Sequence, residues 1–258
     1  MPSPRVLILR APGTNCDEET AFAFEQAGGK PDRVHINRLL ENPQVPSEYQ
    51  ILCIPGGFSY GDDISAGRIL ANQIQHHLKA TLQQFQASDK LILGICNGFQ
   101  VLIKTGVLLT EDRTGTVATL TNNDSGHFED RWVNLAVEGE KCVFLRNVER
   151  MYLPVAHAEG KFIAREQSVL DNLGESEQLT LRYTTASGAA NGSVDYPDNP
   201  NGSTANVAGV CDPTGRVFGL MPHPERNIDR THHPRWTRGF EGGSGGAVFE
   251  NAVRYFND

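Results

Sequence analysis

Positive charge and long apolar runs are both scarce in this sequence. Its 258 residues include 23 Lys and Arg against 31 Asp and Glu, for a formal net charge of −8. Nucleic-acid binding that follows the phosphate backbone needs a basic face, so we expect no nucleic-acid partner. No stretch reaches the ~18 consecutive apolar residues of a membrane-spanning helix, and the N-terminus has no signal-peptide pattern. We therefore expect a cytoplasmic protein with no membrane contact.

Cysteine is also sparse, and its spacing argues against two common uses. The five cysteines are far apart and include no C-x-x-C pair: Cys16, Cys53, Cys96, Cys142 and Cys211. Neither a disulfide framework nor a thiolate zinc site is indicated. A G-x-x-x-x-G-K-[S/T] phosphate loop is absent as well, so ATP binding through that motif is not expected.

The first hundred residues alternate between strand-like and helix-like segments. Apolar strands are predicted at residues 5–10, 50–54 and 90–95, and helices at residues 15–27, 64–85 and 99–104. The helix over 64–85 rests on apolar residues at every fourth position from Leu70 to Leu82, followed by Phe85. This alternation predicts an α/β fold with an open, mostly parallel central sheet flanked by helices.

The second half of the chain has shorter strand-like segments, at residues 116–120, 131–137, 178–184 and 216–221. They predict extra strands, several of them antiparallel, that extend the same sheet. A final helix is predicted over residues 244–256 with Ser244 as its N-cap. No repeat and no long linker divides the chain, so we expect residues 1–258 to form a single domain.

The most specific motif is GICNG at residues 94–98, between the third strand and the helix that follows. It has the form of a G-x-nucleophile-x-G elbow, with sulfur in place of the usual hydroxyl. Flanking glycines permit a sharp turn, and a helix N-terminus stabilises the thiolate that a nucleophile needs. Cys96 is therefore the predicted nucleophile. The alternative is a buried structural cysteine, which is the role we assign to the other four.

The segment at residues 220–226 (LMPHPER) supplies a candidate general base. Pro222 and Pro224 favour an extended backbone, which places His223 and Glu225 on the same side. Glu225 then orients the imidazole as the third member of a triad. The segment is equally compatible with a surface turn that carries an incidental histidine.

The segment at residues 55–62 (PGGFSYGD) follows the second predicted strand. Glycines at the carboxyl end of a strand allow a backbone N–H to point into the crevice where open α/β sheets bind ligands. The N–H groups of Gly57 and Asn97 are therefore predicted to bind a developing oxyanion. Pro-Gly-Gly is also an ordinary turn sequence.

Together these segments resemble the class I, or triad, glutamine amidotransferases, in which Cys, His and Glu occur in that order. Six segments are similar to the glutaminase subunits of phosphoribosylformylglycinamidine synthase: RAPGTNCD at 10–17, PGGFSYGD at 55–62, CNGFQ at 96–100, AHAEGKF at 156–162, NPNGS at 199–203 and GLMPHPER at 219–226. The resemblance implies a flavodoxin-like core. Cys96, His223 and Glu225 match the family's catalytic residues. Gly57 and Asn97 match its oxyanion-binding residues. Gln100 matches its substrate-binding residue. Without the resemblance, the sequence would predict that Gln100 is a solvated position on a helix.

The resemblance also implies an activity and partners. Cys96 would attack L-glutamine to form a glutamyl thioester, and the ammonia would pass to a separate synthetase subunit (PurL-like), with a small bridging subunit (PurS-like) as a further partner. The synthetase would use ATP and Mg to aminate formylglycinamide ribonucleotide in purine biosynthesis. No cofactor and no metal ion is therefore expected in this chain.

Three other functions remain open from the sequence: the glutaminase subunit of another amidotransferase, a metal-dependent amidohydrolase, and a non-enzymatic binding module. The candidate metal ligands are His157 with Glu159, His223 with Glu225, His76 with His77, and His232 with His233. None has an established spacing such as H-E-x-x-H. A binding module on a degenerate fold would be expected to have lost the predicted nucleophile or its histidine. His157 matches a family position near bound glutamine, and a structural role fits it equally well.

Overall fold

A computed structural model describes residues 3–110, 112–113, 115–188, 192–240 and 242–257. The strands in these ranges are β1 (Arg5–Arg10), β2 (Lys30–His35), β3 (Ile51–Ile54), β4 (Leu91–Ile95), β5 (Ala118–Asn122), β6 (Glu129–Val137), β7 (Arg150–His157), β8 (Glu159–Ala164), β9 (Leu181–Thr184), β10 (Val207–Cys211) and β11 (Val217–Leu220). The α-helices are α1 (Asp17–Gln26), α2 (Ile36–Glu41), α3 (Arg68–His77), α4 (Lys79–Ala87), α5 (Asn97–Thr105), α6 (Gln167–Glu175) and α7 (Gly246–Arg254). None of the helices in these ranges has the length and apolar character needed to cross a bilayer.

The main sheet has nine strands in the order β2-β1-β3-β4-β11-β10-β9-β6-β7. Neighbouring strands from β2 to β11 are parallel, and those from β11 to β7 are antiparallel. The predicted α/β fold, with a parallel core and added antiparallel strands, is confirmed. The segment predicted at 116–120 is the exception, because β5 pairs with β8 in a separate two-stranded sheet.

Strands β1, β3, β4 and β11 are apolar runs because helices pack against them, whereas the edge strand β2 is largely polar. All of β3 and β4 is buried. Helix α5 packs against β3, β4 and β11, while α1 packs against β1, β2 and α7. Phe24 in α1 meets Phe249 in α7 edge to face, with ring centroids 4.9 Å apart. Such aromatic pairs add ~0.5–1.5 kcal/mol to the free energy gained from burial alone.

The helix predicted over 64–85 is two helices, α3 and α4, separated at Leu78. A step of four residues turns a helix by about 400°, so a stripe with this spacing drifts about 40° per step around one straight helix. A break at Leu78 lets both halves keep their apolar residues on the core. Ile64 lies outside both helices and is exposed.

The final helix is shorter than predicted, and its cap is different. Gly245, not Ser244, is the N-cap of α7. The Ser244 hydroxyl instead contacts the backbone N–H and carbonyl of Tyr152, both at 3.3 Å, which anchors the segment to β7. A Cβ on Gly245 would lie 2.0 Å from the carbonyl oxygen of Pro224, so this position requires glycine.

The sheet places four loop segments at one edge. Strands β1, β3, β4 and β11 are parallel neighbours and end on the same side. The residues that follow their carboxyl ends are 11–16, 55–58, Cys96 and 221–223. Open α/β sheets bind ligands at this edge.

Candidate active site

Cys96 stands at the turn between β4 and α5, with φ +50° and ψ −104°. Such a conformation costs a non-glycine residue on the order of 1–3 kcal/mol. The flanking glycines, Gly94 and Gly98, permit this turn because they have no Cβ to collide with the neighbouring backbone. A Cβ on Gly98 would lie 1.8 Å from the carbonyl oxygen of Ile54, and one on Gly94 would lie 2.7 Å from that of Gly98. The turn therefore sits directly against β3, and Cys96 is only 5% exposed.

His223 and Glu225 form a short buried pair. The His223 N–H donates to the Pro154 carbonyl at 2.8 Å, which holds the segment after β11 against β7. The backbone then forms a 3-10 helix over Pro224–Arg226, so the predicted extended conformation is wrong. The turn nevertheless brings His223 Nδ1 to 2.6 Å from Glu225 Oε1, with both side chains buried.

The electrostatics of this pair favour a charged imidazole. Burial lowers the pKa of His223, but the neighbouring charges of Glu225 and Cys96 outweigh burial and raise it well above its ordinary value. Glu225 holds the Nδ1 side of the ring, and the imidazole also interacts with the thiols of Cys96 and Cys16, which likewise raise the pKa of His223.

Gly57 and Asn97 each have an unoccupied backbone N–H beside Cys96. Gly57 follows β3 with φ +137°, a conformation that favours glycine. Residues 13–16 hold this loop, since Phe58 N–H donates to the Gly13 carbonyl at 3.0 Å and Cys16 N–H to the Gly56 carbonyl at 3.3 Å. Neither the Gly57 nor the Asn97 N–H donates a hydrogen bond to another described residue.

Gln100 is buried, at 3% exposure, and is part of a polar network. Its Nε2 donates to the carbonyl oxygen of Glu159 at 2.5 Å, and its Oε1 accepts from Asn97 Nδ2 at 3.0 Å. The Asn97 side chain also accepts from the Ser59 N–H at 3.3 Å. Gln100 is therefore not a solvated helix position, and its amide is oriented by fixed partners.

The four loop segments surround a cavity of about 230 Å³. Its lining residues are Asn15, Cys16, Gly57, Phe58, Cys96, Phe128, Asp130, Ala156, His223 and Arg226. Phe58 and Phe128 are stacked with centroids 6.3 Å apart and are both about half exposed. A larger cavity of about 580 Å³ lies beside residues 193–205, but its described lining has no cysteine or histidine. The smaller cavity is lined by both Cys96, the predicted nucleophile, and His223, the predicted general base.

Comparisons with known proteins agree with this geometry. Residues 3–256 match the CobB/CobQ-like glutamine amidotransferase domain. The chain is 47% identical over 258 residues to the phosphoribosylformylglycinamidine synthase subunit PurQ of Dehalococcoides mccartyi, covering 99% of this chain and 98% of that protein. It is 40% identical over 269 residues to that of Methanococcus maripaludis, covering 98% of both. In the solved structure of PurLQS from Thermotoga maritima, one chain matches with a TM-score of 0.75 at 32% identity, covering 98% of this chain and 99% of that one.

The chain belongs to the PurQ family of CobB/CobQ-like glutamine amidotransferases. The predicted family is confirmed, and with it the enzyme class. The chain is a glutamine amidotransferase. This finding favours glutamine hydrolysis over the amidohydrolase and binding-module alternatives.

Asp62 is a polar residue of this PurQ-family site that the sequence analysis did not single out. It accepts from Asn97 Nδ2 at 3.1 Å, on the loop between β3 and α3. Burial is the main cause that raises the pKa of Asp62 to about 6, and the charge of Glu159 adds to it. Asp62 lies inside the matched segment 55–62, but no local pattern marks its contact with Asn97.

Cys16, predicted to be a structural cysteine, is buried and also lines the candidate active-site cavity. Its sulfur accepts from Arg226 Nη2 at 3.1 Å, and the thiol lies in electrostatic contact with His223. Burial raises the pKa of the Cys16 thiol, while His223 and Arg226 act in the opposite direction. The ligand-type atoms of Cys16, His223 and Glu225 lie within 4.8 Å of one another, the one such group of three found in the described part of the chain.

The remaining histidines of this PurQ-family member have separate surroundings. His157 Nδ1 is 3.1 Å from Asn123 Oδ1, and burial lowers the pKa of His157 to about 3. His76 and His77 are exposed on α3. Nδ1 of His232 and of His233 accepts a backbone N–H, from Ile228 at 3.3 Å and from Arg235 at 3.1 Å respectively.

Proposed function

We propose that this chain is the glutaminase subunit of a phosphoribosylformylglycinamidine synthase, with Cys96, His223 and Glu225 as its catalytic residues. One observation carries the proposal. A cysteine held at a positive-φ elbow and a histidine paired at 2.6 Å with a buried glutamate line one cavity, at the ligand-binding edge of the sheet. The names of the relatives, which are PurQ subunits of that synthase, support the assignment.

In the first half-reaction, the Cys96 sulfur attacks the carboxamide carbon of L-glutamine. The C–N bond breaks as the glutamyl thioester forms, and His223 gives a proton to the departing ammonia. The raised pKa of His223 suits this step, because the imidazolium holds a proton at neutral pH. Glu225 keeps the ring oriented through Nδ1 and stabilises its positive charge.

In the second half-reaction, His223 takes a proton from a water molecule that attacks the thioester. The C–S bond breaks, glutamate leaves, and the Cys96 sulfur is regenerated. General acid–base help of this kind contributes ~10²–10⁴ in rate. Both tetrahedral intermediates carry a negative oxygen, which the unoccupied N–H groups of Gly57 and Asn97 would bind. Removing one such donor typically costs ~3–4 kcal/mol of transition-state stabilisation.

Gln100 is assigned to substrate binding. Its position one turn after Cys96 and its fixed amide orientation suit a hydrogen bond to glutamine. We assign it no part in proton transfer, because a neutral amide does not titrate.

The ammonia would pass to a PurL-like synthetase subunit, with a small PurS-like subunit as a bridge. The matched structure of PurLQS from Thermotoga maritima supports a synthetase partner. ATP and Mg would belong to that partner, and this chain would bind no cofactor of its own. We place the complex in the cytoplasm.

The test is a reconstituted complex of this chain with its synthetase, assayed with glutamine and with added ammonia. We expect Cys96→Ala to abolish glutamine-dependent synthesis and to leave ammonia-dependent synthesis intact, because the sulfur serves only hydrolysis. Cys211→Ala is the matched control, since Cys211 is a buried free cysteine in β10. Wild-type glutamine-dependent rates in Cys96→Ala would refute the assignment.

Two further measurements separate the alternatives. A glutamine-mimicking alkylator should label Cys96, as read by mass spectrometry of the modified peptide. A chelator should leave glutamate release by the glutaminase unchanged. If the chelator abolished glutamate release and the alkylator had no effect, the metal-dependent reaction would be the correct one.

A further inference from the structure

A second polar cavity lies at the opposite end of α5 from Cys96. It has a volume of about 290 Å³ and is formed by α3, α5 and the segment that leads into β5. Its polar lining residues are Arg68, Asn72, Gln75, Lys104, Thr116 and Thr119. Nothing in the proposed glutaminase reaction uses this cavity.

The two cations of this cavity form no salt bridge with a described residue. Neither Arg68 nor Lys104 forms an ion pair within the described ranges, and no described carboxylate lines the cavity. By contrast, Arg226 at the candidate active site is paired with Glu19 at 2.9 Å. Glu159 and Asp62 interact electrostatically with Lys104 but do not line the cavity. Arg68 and Lys104 therefore still give this concave site a local positive potential, in a chain with a net charge of −8.

The position of Arg68 adds to this potential. Arg68 is the first residue of α3, and the first turn of that helix has no acidic residue. A helix N-terminus carries partial positive charge, so it disfavours an arginine and favours an anion. Lys104 is half-buried, and burial is the main cause that lowers its pKa. The charges of Glu159 and Asp62 act in the opposite direction, while repulsion from Arg68 adds to the effect of burial. A bound anion would relieve both unfavourable interactions.

The neutral lining groups can also donate hydrogen bonds to an anion. Asn72 and Gln75 lie on the same face of α3 as Arg68, at helical spacings of four and seven residues. Gln75 Nε2 donates to the Lys104 carbonyl at 2.8 Å, which ties α3 to α5 and keeps the cavity wall in place. A guanidinium, an ammonium, amide groups and hydroxyls together form the donor set that recognises phosphate.

We propose that this cavity binds the phosphate group of a small phosphorylated molecule. A volume of about 290 Å³ exceeds what a phosphate group occupies and lies near the lower limit for small-molecule sites, so the ligand would carry a short organic portion. The apolar side chains of Ile103 and Ala118 in the lining would contact that portion. The site is independent of the proposed glutaminase activity, since binding can be measured without glutamine.

The variants follow from the contacts. Arg68 makes no side-chain hydrogen bond to another described residue, so Arg68→Gln should fold normally and remove only the charge. Lys104 Nζ donates to the Ala66 carbonyl at 2.9 Å, so Lys104→Gln also loses a structural contact, and Lys104→Arg keeps the charge. Arg38→Gln is the matched control, because Arg38 is an exposed arginine in α2 with no ion pair to any described residue.

The experiment is isothermal titration of the full chain at constant ionic strength with ribose 5-phosphate, inorganic phosphate and unphosphorylated ribose. We expect saturable binding of ribose 5-phosphate, weakened about tenfold or more by Arg68→Gln and by Lys104→Gln, as loss of a charge-assisted hydrogen bond predicts. Arg38→Gln and Lys104→Arg should keep most of the affinity.

Binding of inorganic phosphate alone, with the same dependence on Arg68, would support the anion site and identify the free ion as its ligand. Three outcomes would overturn the proposal: no saturable binding of either phosphate at millimolar concentration, equal binding of ribose, or equal affinity in wild type and Arg68→Gln. None of these outcomes bears on whether Cys96 hydrolyses glutamine, so the two proposals fail separately.

Discussion

The two sides of Cys96 are built in different ways. The acid–base side consists of His223, Glu225 and the Cys16–Arg226 contact, and its central pair comes from residues two apart in one turn. The substrate side consists of neutral amide contacts around Asn97 and Gln100 that join residues as far as 59 positions apart. The first side controls charge and the second controls orientation. Substitutions on the two sides should therefore change different kinetic constants.

The largest effect is expected on the acid–base side, from His223→Gln. Glutamine keeps hydrogen-bonding capacity but cannot accept and return a proton, so glutamine-dependent kcat/KM should fall ~10⁴-fold. Ammonia-dependent synthesis by the complex should be unchanged, which separates loss of chemistry from loss of folding. A variant that kept a tenth of the wild-type glutaminase rate would show that the proton passes elsewhere.

Glu225→Gln should have a smaller effect, about 10²-fold on kcat, because the ring keeps a neutral partner but loses its countercharge. The Glu225 charge raises the pKa of His223, so its removal should lower that pKa. The alkaline limb of the kcat/KM profile should then move to lower pH. An unchanged profile in this variant would contradict the electrostatic role given to Glu225.

On the substrate side, Gln100→Ala should raise the KM for glutamine about tenfold and change kcat much less, as expected when one uniform binding contact is lost. Gln86→Ala in α4 is a matched control, since Gln86 bonds to Asp212 at 3.1 Å, outside the network of Asn97 and Gln100. If kcat and kcat/KM fell equally while KM stayed constant, Gln100 would act in the transition state and not in substrate binding.

The smallest effect concerns stability, through Asp62. Its pKa is raised from 3.8 to about 6, so its contribution to stability is fully present below pH 3.8 and is lost as the pH rises through 6. Relative to Asp62→Asn, the wild type should lose about 1 kcal/mol between pH 4 and pH 7, after discounting for partial exposure. Thermal unfolding at both pH values would show this as a shift of roughly 2–4 °C.

Asp63→Asn, at the adjacent exposed aspartate, is the matched control for that measurement. If the two variants showed the same pH dependence, the titrating group would not be Asp62.

The parallel core of the sheet and the protein family could both be predicted from the sequence, because both depend on local patterns. Buried apolar runs mark β1, β3 and β4, and the glycines around Cys96 mark a turn that only small residues permit. The extended chain predicted around Pro224 is wrong, because Pro224 begins a 3-10 turn. The 3-10 turn nevertheless brings His223 and Glu225 together, as the predicted extended chain was expected to do.

Other features could not be predicted because they depend on distant contacts. Cys16 meets Arg226 across 210 residues of sequence, so its neighbourhood has no local signal. Strand β7 contains Pro154, and proline is unfavourable inside a strand. In the structure Pro154 nevertheless lies between buried residues of a strand whose side chains alternate between buried and partly exposed. The placement of Arg68 and Lys104 in one cavity likewise arises only because α3 and α5 pack together.

Gly98 packs so closely on the Ile54 carbonyl that a Cβ on Gly98 would lie only 1.8 Å from its oxygen. This contact couples the position of the Cys96 turn to that of the loop after β3. Any side chain at position 98 would push on the end of β3 and shift the loop that presents the Gly57 N–H. A methyl group that touches no substrate should therefore displace nucleophile and oxyanion donor at the same time. Directed-evolution libraries of this enzyme should tolerate diversity along much of α5 while returning glycine at this position.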